Sequence, residues 1–313
     1  MGSSSNRSFG YERHSSSEIF DKIRNAENEA KVQQYEVDVN SEIDNVLSTY
    51  NNRDTEAIQQ HINSVKSALN KDIEGTVSTR FGGSLSKNTH LAGLSDVDTL
   101  VLLNDSGLPD KAPSEVLDYF YKRLKDRFPQ VELKKGDTAV TIHFKDGDLQ
   151  LLPAIRYKTG LKIPDGNEWS PIIKPTLFAR RLTILNQKLN NRLIPAIKII
   201  KGIISKFPEN ARLTGYHIES LALQIFESKY KSLQGAIKNK ELIKSFFKEA
   251  AYDIRNPIKD VTKQSKNVDD YLGDKKNLKR LLVSDVLERT YRRLEMADSS
   301  RILDIWKEII KIN

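Results

Sequence analysis

The sequence predicts an α/β (α+β) chain of two lobes, a mixed sheet with flanking helices followed by an all-helical half, with the active site in the cleft between them. Three observations carry this reading. Asp96 and Asp98 open an apolar run, Val97–Leu103, that reads as a largely buried strand, one loop after the pair Gly83–Ser84. A helical pattern over 114–128 and a hairpin of Ala139–Phe144 and Asp148–Leu152 around Lys145-Asp146-Gly147 follow. After Pro175 the strand patterns stop, and the remaining periodic segments are helical.

Ile19, Ile23, Ala26, Ala30, Val37, Ile43 and Leu47 fall near helical spacing and predict a helix from about Ser17 to Tyr50. Thr55–Leu69 reads as a second helix, capped by Asp54 or Thr55 and ended near Asn70. Thr76–Phe81 reads as a short strand delivering the chain to Gly82. Ser114 is the expected cap of the helix that carries Val116, Leu117, Phe120 and Leu124. Beyond Pro175, helices are expected over 177–190, 195–206, 214–230, 240–251, 279–297 and 300–312. The boundaries drawn are a polar serine-rich tail over 1–17, a core domain with the N-terminal helices over 18–175, and a helical lobe over 176–313. No internal repeat is visible.

The chain has 313 residues, 38% hydrophobic and 29% charged, as a soluble protein with a sizeable core would have. Its lack of cysteine excludes disulfides, cysteine-ligated zinc and thiol nucleophiles, and is consistent with a cytoplasmic location. No apolar run reaches the length of a membrane span, so no membrane partner is expected. The net charge of +8 suits an anionic partner, nucleotide or nucleic acid, without choosing between them.

Side chains two apart on a strand share a face, so Asp96 and Asp98 converge. Paired carboxylates repel unless a cation sits between them, and oxygen ligands completed by water and phosphate suit Mg²⁺. Gly83 and Ser84 can offer backbone N–H groups and a hydroxyl to an anion. Gly-Ser followed by Asp-x-Asp resembles the signature of the polymerase-β-like nucleotidyltransferases. That resemblance implies a third acid on a neighbouring strand, usually reading Asp-x-x-Pro-Ala. Here the strand reads Gln150-Leu151-Leu152-Pro153-Ala154, with Asp148 two residues earlier on the same face. Three readings stay open: Asp148 as the acid in a variant register, Asp146 in its place, or a site built on two aspartates. Without a bulge the offset moves the carboxylate roughly 6–7 Å along the strand.

Lys198 and Lys201 lie three apart on an otherwise apolar helix, and Thr214 is the expected cap of a helix carrying Tyr216, His217 and Glu219. A lysine helix followed by Tyr-His-x-Glu resembles the helical lobe of cGAS/DncV-like nucleotidyltransferases, and the resemblance spans about 30–300. It implies that Lys201, and next Lys198, meet donor phosphates with Gly83 and Ser84, and that Tyr216 stacks on a base. Asp96, Asp98 and Asp148 would be the catalytic and metal-binding residues, with Mg²⁺ as cofactor and Mn²⁺ as its substitute. His90 and His217 are expected to be structural or to line the substrate. The loop 256–273 is read as a polar connection between helices.

The activity so implied is synthesis of a cyclic di- or trinucleotide messenger from nucleoside triphosphates, ATP among them, with release of pyrophosphate, in bacterial anti-phage signalling. A downstream effector would answer to the product. No zinc-ligand set exists for a nucleic-acid sensor, which favours an enzyme that is constitutive or switched by a partner protein, with no nucleic acid required. The rivals are a template-independent synthase of linear oligonucleotides and a catalytically inactive nucleotide-binding module, for which Gln150 speaks.

Overall fold

The computed structural model describes residues 15–52, 55–71, 75–92, 97–229, 238–262 and 265–311. It begins with one long helix, α1 (Ser16–Asn51). The Ser15 hydroxyl accepts from the Glu18 amide at 3.2 Å, and the Glu18 carboxylate accepts from the Ser15 amide at 2.8 Å, so two amides at the helix start are satisfied reciprocally. The first half of α1 is exposed. In the second half Tyr35, Val39, Ile43, Val46, Leu47 and Tyr50 recur at helical spacing and are buried. They join the core of the helical lobe, together with Ile197, Ile200, Phe246 and Trp306. α1, grouped by sequence with residues 18–175, therefore packs instead against the helices that follow residue 176. An amphipathic stripe specifies that it must be buried but not against what.

α2 (Thr55–Leu69) leads into the sheet; the cap expected from Asp54 lies outside the described residues. The strands are β1 (Ser78–Phe81), β2 (Val97–Leu102), β3 (Glu132–Lys135), β4 (Val140–Phe144), β5 (Gly147–Tyr157) and β6 (Gly160–Lys162). Their order is β1-β2-β5-β4-β3, with β6 joined to the far end of β5. β2 and β5 are parallel, and the other pairings are antiparallel. A short ribbon, β7 (Pro164–Asp165) and β8 (Glu168–Trp169), precedes the helical lobe. Alternation along the strands fixes two faces. Val97, Val101, Val140, Ile142, Leu149 and Leu151 pack with Ile62, Val65 and Leu69 of α2 and with Val116, Leu117, Phe120 and Leu124 of α3 (Pro113–Arg127). The opposite parity places Asp98, Thr141, His143, Asp148 and Gln150 on the other face.

Ser114 does not cap α3. Ala112 is the cap residue, its amide donating to the Glu115 carboxylate at 2.9 Å, and Pro113 occupies the first helical position, where its missing N–H costs nothing. The helical lobe comprises α4 (Pro175–Lys188), α5 (Leu193–Ile204), α6 (Gly215–Lys229), α7 (Asn239–Asp253), α8 (Leu278–Ser300) and α9 (Leu303–Ile310). No helix among the described residues is long and apolar enough to cross a membrane.

Candidate active site

β1 ends at Phe81, and the Gly82 amide continues its ladder by donating to the Asp98 carbonyl at 2.8 Å. The chain then turns at Gly83, whose φ of +44° is in the region that favours glycine. Space demands glycine as well, since a Cβ there would lie 1.5 Å from Asp98 Oδ2. The turn is closed by the Ser86 amide on the Gly82 carbonyl at 3.0 Å and the Thr89 amide on the Ser84 carbonyl at 2.9 Å. Beyond it Leu91 enters the helical lobe's core, and the Ala92 amide donates to the Tyr50 carbonyl at 3.1 Å. The Gly83 turn is thus held against Asp98 at one end and against α1 at the other.

The β2–β5 register is regular from Val97↔Leu149 to Leu102↔Ala154 and pairs Asp98 with Gln150. β4 adds Thr141 to that row and sets His143 opposite Asp148. His143 Nδ1 lies 2.9 Å from Asp148 Oδ1, both side chains about a third exposed. The variant register expected to carry Asp148 to Asp98 does not occur. An unbroken parallel ladder leaves no extra residue to shift it, so Gln150 fills the position beside Asp98. Asp146 is turned away to His61, 3.0 Å from its Nε2. Asp96 lies outside the described residues.

Gly83, Ser84, Asp98, Lys201 and Tyr216 line the same cleft of about 620 Å³ between the sheet and the helical lobe. Lys201, on α5, is 7% exposed and uses all three ammonium hydrogens within the protein: on the Thr89 carbonyl at 3.0 Å, its hydroxyl at 3.2 Å and Glu219 Oε1 at 2.6 Å. Glu219, on α6, is 1% exposed and also pairs with Lys87, which stands three residues after Ser84. Burial alone would push the Glu219 carboxyl up, but Lys201 and Lys87 together hold it below the usual carboxylate range, so the group is an anion between two cations. Burial lowers the Lys201 pKa, opposed by Glu219.

Lys198 does not face the cleft: its Nζ donates to Asn51 Oδ1 at 2.5 Å at the end of α1. The three-residue spacing gave it the same helix as Lys201, but the roughly 300° that three residues turn leaves room for different neighbours. Burial, then the charge of Lys201, lowers its pKa. The cleft also receives Lys206, Arg212 and Lys311, which the sequence does not single out. Arg212 Nε donates to the Phe207 carbonyl at 2.8 Å, and Lys206 Nζ to the Lys311 carbonyl at 3.1 Å.

Thr214 caps α6 as expected, its hydroxyl accepting from the His217 amide at 3.3 Å. The Tyr216 ring lies 5.1 Å from that of Phe178, and its hydroxyl donates to Asp260 Oδ1 at 2.7 Å. Burial raises the Tyr216 pKa, so the phenol stays protonated. Asp260 is itself fixed by the Thr262 amide at 2.7 Å and the Ser265 amide at 3.1 Å. The loop 256–273 is more than a polar connection. Asp269 in it accepts from the Ile258 amide at 3.0 Å and from Arg280 Nη1 at 2.6 Å, with both charged side chains fully buried. His217 is also fully buried, its Nδ1 2.8 Å from the Tyr271 hydroxyl, and burial lowers its pKa to about 4. It is a neutral structural group.

A glycine turn pressed against a strand carboxylate, facing a cationic helical lobe across a cleft, matches the polymerase-β-like nucleotidyltransferase fold. Residues 37–173 match the model of the Second Messenger Oligonucleotide or Dinucleotide Synthetase domain. The fold of the chain is that of the CdnC of Escherichia coli MS115-1 in its HORMA-deltaN complex, with a TM-score of 0.64 at 14% identity over 86% of this chain and 96% of that one. The Vibrio cholerae DncV cyclic AMP-GMP synthase with a linear intermediate aligns at 0.60, with 13% identity over 93% of this chain and 90% of that one. The CdnE c-di-GMP synthase of Capnocytophaga granulosa aligns at 0.57, with 19% identity over 78% and 81%. No curated protein sequence matches the chain.

Proposed function

We propose that this enzyme, constitutively active or switched by a partner protein, joins nucleoside triphosphates, ATP among them, into a cyclic di- or trinucleotide that acts through a downstream effector as a messenger in bacterial antiviral signalling. One observation carries the chemistry: the Gly83 turn, on which no side chain fits, lies against Asp98 at the mouth of a cleft walled by cations.

The donor set at that mouth fits a hard divalent cation: the Asp98 carboxylate and the Gln150 amide are register partners, both oxygen donors, and Asp96 precedes them in sequence. Among the described residues no three acidic or imidazole side chains form a ready metal cage. Mg²⁺, or Mn²⁺ in its place, would be held by Asp98 and Asp96 with Gln150 adjoining, and would supply Lewis-acid neutralisation of the phosphates.

The protein's own groups do the rest. Ser84 and the amides of its turn receive the polyphosphate, and Lys201 contributes positive charge from beneath the turn. Tyr216, held by Asp260, offers a ring to one base. In the reaction a ribose hydroxyl oxygen bonds to the α-phosphorus, the α–β phosphoanhydride bond breaks and pyrophosphate leaves. The hydroxyl proton passes to Asp148, which shares that face of the sheet with Asp98 and lies 2.9 Å from His143 Nδ1. Much of the acceleration would come from holding the two nucleotides in line.

The test is an incubation of the purified protein with Mg²⁺ and ATP, GTP, CTP and UTP, without nucleic acid. Phosphatase-resistant products with the mass of cyclic species support the reading. Linear, phosphatase-sensitive chains support the rival synthase, and no product at all supports an inactive module.

A further inference from the structure

We propose that the exposed half of α1 is a dimer interface, on which a second copy of this chain lays the same helix, parallel and in register, as a short coiled coil.

α1 carries two apolar stripes. One, Tyr35, Val39, Ile43, Val46 and Tyr50, is buried in the helical lobe. The other is Ile19, Ile23, Ala26, Ala30 and Val37. Its spacing is that of the a and d positions of successive heptads, with Gln33 at the one polar d position. At about 100° of turn per residue, this second stripe runs along the side of α1 nearly opposite the first and faces away from the lobe. Ile19, Ile23 and Val37 are 47%, 50% and 61% exposed.

Three observations say what covers this face. The helix is encoded to its tip by the reciprocal cap of Ser15 and Glu18, yet residues 16–34, about 28 Å of it, are exposed all round. A helix of that length standing alone is marginal in water, and burial of an apolar stripe supplies what it lacks. The charges beside the stripe are also complementary to themselves. Lys22 falls at g and Glu27 at the following e, the two positions that meet between parallel helices, so a symmetric pair makes the contact twice. Finally, the parallel register gives every stripe residue its own counterpart, Val37 on Val37 included, and lets the two Gln33 amides hydrogen-bond within the seam, which fixes the register. An antiparallel arrangement that sets Ile19 on Ala30 and Ile23 on Ala26 leaves Val37 unmatched.

The experiment is sedimentation of the full chain over roughly 1–200 µM, the affinity range suited to so short a seam, with thermal unfolding to show that each variant is folded. The positions changed are all exposed in the single chain. Wild type should pass from monomer to dimer within this range, and Ile23→Asp should stay monomeric. Lys22→Glu should weaken association by about tenfold, because two like-charged contacts replace two attractive ones, and adding Glu27→Lys should restore it to within about threefold. The chain contains no cysteine, so one introduced thiol reports a single contact. Under mild oxidation Ile23→Cys should cross-link into a dimer, and Asp21→Cys, on the far side of the helix, should not. A wild type that is monomeric throughout assigns the stripe to another protein or to the chain's own residues 1–14, and overturns the proposal. An Ile23→Asp protein that dimerises as wild type does, or cross-linking at position 21 in preference to 23, overturns it as well. Failure of Glu27→Lys to rescue Lys22→Glu overturns the parallel register.

Discussion

Asp98 on β2 and Gln150 on β5 are register partners across the sheet's parallel pair, while Asp148 is paired with His143 one same-face position away. A neutral amide oxygen therefore stands where a third carboxylate would bind a divalent ion more tightly. Gln150→Asp should lower the Mg²⁺ concentration needed for half-maximal turnover, and Gln150→Ala should raise it, each by about tenfold. Asp148→Asn should lower kcat and leave the Mg²⁺ requirement where it was. A metal titration of turnover for the three variants reads this directly; an unmoved requirement in both Gln150 variants removes Gln150 from the metal site.

Gly83→Ala should abolish turnover. The added methyl would stand 1.5 Å from Asp98 Oδ2, at a φ of +44° that non-glycine residues reach at a cost of about 1–2 kcal/mol. The turn must open or Asp98 must swing away, and either change dismantles the mouth of the cleft. Thermal unfolding should show a loss of that order while pyrophosphate release falls by about a hundredfold or more, as when a catalytic electrostatic contact is removed. Near-normal turnover in a folded Gly83→Ala protein would contradict the role given to the turn.

Much of this was legible in sequence. The turn and β2 stood out because glycine, serine and an apolar run have local meaning, and α6 announced its own cap at Thr214. The polar edge strand β3, Glu-Leu-Lys-Lys, carries no alternation strong enough to mark it. The Lys87–Glu219 pair joins residues on different lobes, and no local pattern encodes such a partnership. The same holds for α1: its stripe of Tyr35, Val39 and Ile43 is plain, but the surface it covers is set by chain topology. The offset of Asp148 was visible as a spacing, while only the strand pairing shows that no bulge corrects it.

His217 makes stability depend on pH in a known direction. Its native pKa of about 4 lies below the unfolded value of about 6.5, so between these the unfolded chain binds a proton that the native protein does not. Stability should therefore fall as pH drops through 6.5 towards 4, by roughly 3 kcal/mol from this group. Urea unfolding at pH 7 and pH 5 should show a smaller drop for His217→Gln than for wild type. Equal drops would mean that the imidazole charges in the native state.

Asp269→Ala should be among the most damaging changes outside the cleft. It leaves the fully buried Arg280 guanidinium without its carboxylate, at a cost of about 3–5 kcal/mol. The same change frees the Ile258 amide and loosens the loop whose Asp260 anchors Tyr216. Denaturant midpoints should report the loss, and a variant as stable as wild type would show that the loop is held by other contacts.

The central claim is that a nucleoside triphosphate reacts where the Gly83 turn meets Asp98. The most direct measurement is pyrophosphate release from mixed triphosphates with Mg²⁺, comparing the wild-type protein with Asp98→Asn at matched thermal stability. The account predicts steady release by the wild type and none above background in the variant. Release that persists undiminished in Asp98→Asn, or a fully folded wild-type enzyme that releases none, contradicts it.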